Sequence, residues 1–177
     1  MSDQAHQEMV AGLARSVVEV LAPQELPGFS ACQEAFFDKA GGSLEDRTRE
    51  AALRGSDSAG AAAVVAPVAL AVASEVVAFI VNEIKKTLRQ EAAGAISAFV
   101  KRWLARLRST DRTGERGVQG GPEGERSEPD APPEINSGQM AQIYVLAVET
   151  ARQFRLSGYE AARMADATVR SLAAGEP

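Results

Sequence analysis

The 177-residue sequence has little of what most protein chemistry requires: one cysteine, Cys32, and one histidine, His6. One chain can therefore build neither a disulfide framework nor a Cys/His metal centre, which suits a reducing cytoplasm. Aromatic residues are 5% of the total, with Trp103 the single tryptophan. A core here must come from closely packed helices rather than from large rings. Glycine-rich phosphate loops, paired-cysteine motifs and nucleophile elbows are all missing. His6 lies in a fraying terminal turn, and nothing near Cys32 in sequence lowers its pKa. The reading is of a non-enzyme with no catalytic residue, metal, cofactor or small-molecule substrate assigned. The N-terminus, MSDQAHQEMV, carries acids where a signal peptide carries bases, so general secretion is not expected and a cytoplasmic location is.

What is present is 45% hydrophobic, rich in alanine, and unevenly charged around a net −5. By segment the charge is −5 over 1–60, +4 over 61–108, −4 over 109–134 and 0 over 135–177. Arginine outnumbers lysine by 15 to 4, a composition typical of a GC-rich bacterial genome.

The spacing predicts an all-α protein in three parts. The first, 1–108, is a helical region around one long hydrophobic helix at about 61–108. Val10, Leu13, Val17, Val20 and Leu21 recur at helical spacing until Pro23 stops the pattern. After the turn PQELPGF, Ser30 can cap a short helix holding Phe36 and Phe37 and ending at Gly41-Gly42. Ser43 opens a charged helix whose apolar side is thin, and GSDSAG at 55–60 reads as a joint. The second part, 109–134, has one aliphatic residue, Val118, among Gly, Pro, Ser and charges, and reads as a disordered acidic linker. The third, 135–177, reads as an αα-hairpin. Ser137 is placed to cap its first helix, Ser157 and Glu160 make a capping box for the second, and Leu156 and Ala161 form a hydrophobic staple. A hairpin of about forty residues is too small to stand alone and must dock somewhere.

The run AGAAAVVAPVALAVASEVVAFIV, residues 59–81, is the sharpest feature. Pro67 suits the first turn of a helix beginning near Val65 or Ala66, whereas the alternation VALAVA on its own would also suit a strand. The stretch is long enough to cross roughly 30 Å of hydrocarbon. On an insertion scale its ten Val, Leu, Ile and Phe residues gain about 3–6 kcal/mol, against up to about 3 kcal/mol lost at Glu75. Two readings stay open. In the first, the chain is a membrane-associating or conditionally inserting helical protein, of the kind used as a bacterial effector or accessory component. Val64, Val65, Val68, Leu70, Val72, Val76, Val77, Phe79, Ile80, Val81 and Trp103 would then contact the membrane. Lys85, Lys86, Arg89, Lys101, Arg102 and Arg106 would hold anionic headgroups, and Glu75 would be the switch, since its protonation removes the main obstacle to entry. In the second, the same helix is the core of a soluble adaptor or scaffold acting through protein–protein interaction, with Glu75 paired to Arg15, Arg47, Arg49 or a C-terminal arginine. The hairpin at 135–177 is the expected protein-binding part in either case, and self-association into a homo-oligomer is open. The basic stripe 85–108 also fits a nucleic-acid patch, but the acidic whole and the lack of a nucleic-acid module disfavour that partner.

The runs ELPGFSACQEAFF and APVALAVASEVVAFIVNEIKKTLRQE, followed by a charged linker and LSGYEAARMADATVRSL, resemble small helical proteins of actinomycete-type bacteria. The resemblance covers about two-thirds of the chain and implies a bacterial source, with no activity attached.

Overall fold

The computed structural model describes residues 3–39, 41–59, 64–88 and 135–174, which form six α-helices and no strand. These are α1 (Asp3–Leu21), α2 (Phe29–Asp38), α3 (Leu44–Ala59), α4 (Val65–Leu88), α5 (Ser137–Gln153) and α6 (Gly158–Ala173), with a 3-10 turn over Pro23–Gly28 between α1 and α2. The linker read at 109–134 and the basic stretch 89–108 lie outside the described residues.

Four of the helices form a ring in which α1 packs on α4, α4 on α5, α5 on α6 and α6 back on α1. Alanine lets these helices approach closely: Ala14, Ala69, Ala71, Ala147, Ala151, Ala161 and Ala165 are all buried in the shared core beside Val10, Leu13, Leu70, Ile143 and Met164. The second pair, α2 and α3, packs against α4 from outside this ring. Helix α4 thus has α1, α3 and α5 around it, which is why its sequence is apolar on nearly every side. Residues 66–73 are buried without a break, so VALAVA is helix here and its alternation carries no sheet face.

The N-terminal helices and the hairpin form one core rather than two. In α1, Val10, Leu13 and Val17 face that core with Met9, Ala14 and Val18, while Val20 in the last turn stands in solvent. Helix α2 begins at Phe29 with Gly28 as its N-cap, two residues ahead of the cap that the sequence suggests at Ser30. Helix α3 continues through Gly55 to Ala59, so the stretch read as a joint is mostly helix. Gly55 is buried, with its backbone N–H toward the Cys32 sulfur. The thin apolar side of α3, with Thr48, Ala51 and Gly55 buried, is enough because it meets both α2 and α4.

Local capping fixes the hairpin. Asn136, not Ser137, caps α5: its side chain accepts from the Gln139 N–H at 2.9 Å, and the Gln139 side chain accepts from the Asn136 N–H at 3.0 Å. Both residues are cap-competent, and the reciprocal partner three residues on selects Asn136. Ser157 and Glu160 form the expected box on α6. Between the two helices, the Leu156 N–H donates to the Ala151 carbonyl and the Arg155 N–H to the Arg152 carbonyl. That is the Schellman pattern, with Arg155 in the left-handed position at φ 64°.

Candidate functional site

Three features converge on α4, the helix that carries the functional question. The first is its entry. Helix α4 begins at Val65, and neither Val64 nor Val65 offers a side-chain acceptor for the orphan N–H groups of the first turn. Glu25, from the 3-10 turn after α1, fills that role. Its Oε1 accepts from the Val64 and Val65 N–H groups at 3.2 Å each, and its Oε2 accepts from Val65 at 3.1 Å and Ala66 at 2.8 Å. The carboxylate is buried and sits on the positive end of the helix dipole, where an anion is favoured. Because the chain just past the end of α1 touches the start of α4, the two helices run antiparallel. Sequence reading missed Glu25; the only available signal was an acid in a Pro-bounded turn, with nothing to connect it to a helix some forty residues on.

The second feature surrounds Glu75. This residue is half-buried midway along α4, and its charge acts on Arg47 of α3. Arg47 was among the partners the sequence suggested. Its Nε donates to the Phe36 carbonyl at 3.1 Å, and its guanidinium carbon lies 4.1 Å from the Phe36 ring centroid and 5.9 Å from that of Phe37. Phe36 and Phe37 themselves meet edge to face at 5.3 Å. Burial lowers the Arg47 pKa and the Glu75 charge raises it, the burial being larger, yet a guanidinium stays protonated at neutral pH. His6 is the third member. It is half-buried within α1 rather than frayed at the surface, and burial, followed by the Arg47 charge, lowers its pKa, with Asp3 opposing.

The third feature is the apolar span. Val65–Lys86 is a 22-residue stretch long and apolar enough to cross a bilayer, and about two-thirds of its most apolar 18-residue window is buried within the bundle. Val68, Leu70, Val72, Val76, Val77 and Ile80 are inside the core; Val65, Phe79 and Val81 are half-buried, and Val64 is exposed. Lys85 and Lys86 are exposed in the last turn, with Lys86 paired to Glu83. Trp103, Arg89, Lys101, Arg102 and Arg106 lie outside the described residues. Cys32 is fully buried: its thiol donates to the Ala51 carbonyl at 3.0 Å, and burial with the nearby Glu25 charge pushes its pKa up to about 11. A thiol so held is protonated at neutral pH and is a packing group rather than a nucleophile.

No family model, curated protein or solved structure matches this chain.

Proposed function

We propose that this is a non-enzymatic helical adaptor or scaffold that acts by binding protein, with α4 as its structural core. The observation that carries this reading is the enclosure of α4 by α1, α3 and α5, which uses the apolar span within the fold itself. Withdrawing α4 into a bilayer would uncover Val10, Leu13 and Val17 of α1 and Ile143 of α5. At about 1.5–3 kcal/mol for each large buried side chain, that alone costs on the order of 6–12 kcal/mol. The loss is as large as the whole stability of a typical domain. The bilayer returns a few kcal/mol at most while Glu75 is charged, so the balance favours the closed bundle.

The second reading, conditional entry into a membrane, is favoured by the length and composition of Val65–Lys86. Flotation with liposomes containing anionic lipid separates the two. On the adaptor reading, wild type and Glu75→Gln both stay in the soluble fraction at neutral and at acidic pH. Flotation of the wild type at acidic pH, or of Glu75→Gln at either pH, would replace this reading with the membrane one.

A further inference from the structure

The ring of four helices is completed by a piece of chain remote in sequence from the helices it closes. Helices α5 and α6 satisfy their own ends: each has a reciprocal capping box, and the Schellman link joins them. Their apolar side is not self-sufficient. Ile143, Ala147, Ala161, Met164 and Ala165 are at most 1% exposed in a bundle where the hairpin lies on α1 and α4. A pair of helices this short lacks the core to hold that face by itself. The covalent connection from Leu88 to Ile135 runs through residues 89–134, and a chain of that length reaches up to about 150 Å when extended. The 24-residue α4 is about 36 Å long. Chain length therefore lets a hairpin reach the α1–α4 face of a neighbouring copy as well as its own.

We propose that the α1–α4 face is a docking surface for the hairpin of a second copy, and that two chains exchange Ser137–Ala173 so that each bundle is closed in trans. The inference rests on the protein-binding reading and gives it a partner. A swapped dimer has the same seam as the closed monomer and differs only in which copy supplies the hairpin, so the two forms are close in energy and concentration selects between them. Closure within one chain is independent of concentration, whereas exchange rises with it.

The test uses the full chain. In a Cys32→Ser background, one preparation carries a donor dye at Glu19→Cys in α1 and another an acceptor at Val145→Cys in α5, both exposed positions. The two are unfolded together and refolded at micromolar and at millimolar concentration, then sized by chromatography with light scattering. Exchange predicts monomer at the low concentration and added dimer at the high one, with native helix content. Dimers that pair one donor chain with one acceptor chain should show the transfer efficiency of a doubly labelled monomer, because α1 of one copy then packs against the hairpin of the other. Placing Ala165→Arg in the acceptor chain should abolish that transfer. Monomer alone at every concentration, or a dimer with weaker transfer than the monomer standard, would overturn the proposal. Either result leaves the adaptor reading intact, whereas liposome flotation would remove that reading and, by taking α4 out of the bundle, the docking face with it.

Discussion

Arg155 and His6 each hold a position whose backbone or burial works against the residue found there. At φ 64° an L-residue meets a steric cost of about 1–2 kcal/mol, which glycine avoids while giving back up to about 1 kcal/mol of unfolded-state entropy. Arg155→Gly should therefore raise stability by about 0.5 kcal/mol in urea unfolding, whereas Arg155→Val should lower it. Equal midpoints for Gly and Val would show that the turn is not strained. His6 gives a pH signature. Its folded pKa is lowered, so the unfolded chain binds the proton more readily, and stability is full above the unfolded histidine pKa near 6.5 and falls as pH drops below it. His6→Gln should flatten that fall between about pH 7.5 and about pH 5.5, a window above the range of ordinary carboxylates. The groups facing His6 include Arg47 on α3 and Asp3 on its own helix, and an unchanged slope in the variant would assign the pH response elsewhere.

At the scale of elements, the start of α4 depends on a residue outside it. Removing the Glu25 carboxylate leaves the N–H groups of Val64, Val65 and Ala66 without their acceptor, that of Ala66 buried. A hydrogen bond to a charged group is worth about 1.5–3 kcal/mol, so Glu25→Ala should cost about 2–4 kcal/mol. Glu25→Gln, which keeps one acceptor oxygen, should cost about half as much. Amide hydrogen exchange read at Val65 and Ala66 should rise in both variants before the rest of α4 responds. The same contact shows where sequence reading reaches its limit. The beginning of α4, with Pro67 in its first turn, and the Ser157–Glu160 box were legible because the determining residues lie within one helical turn of each other. The Glu25 cap joins residues 39 to 41 positions apart, so local pattern could not reveal it. Gly55 was misread for a related reason: glycine usually breaks a helix in isolation, but here it lies buried within α3, on the side where that helix meets α2 and α4. Arg47 was one of several cations that could have faced Glu75, and only the packing of α3 against α4 selects it.

For the molecule as a whole, the question is whether the shared core makes one cooperative unit of segments far apart in sequence. Ile143 of α5 and Cys32 of α2 belong to the same buried cluster, and α4 packs against both of their helices. If unfolding is two-state, weakening one end must expose the other. Ile143→Ala removes a fully buried side chain and should cost about 2–5 kcal/mol. The Cys32 thiol is a remote reporter, since it is fully buried and protonated in the folded state and reacts with a disulfide reagent only when its surroundings open. Under conditions where reclosing is faster than labelling, the thiol reaction rate tracks the open population. It should therefore rise by about 30-fold or more in Ile143→Ala, the factor equivalent to at least 2 kcal/mol. Far-UV circular dichroism should shift its midpoint by the matching free energy. A destabilised dichroism transition with an unchanged thiol rate would mean that the hairpin leaves while α1 to α4 stay closed, and the single core would then divide at the α4–α5 seam.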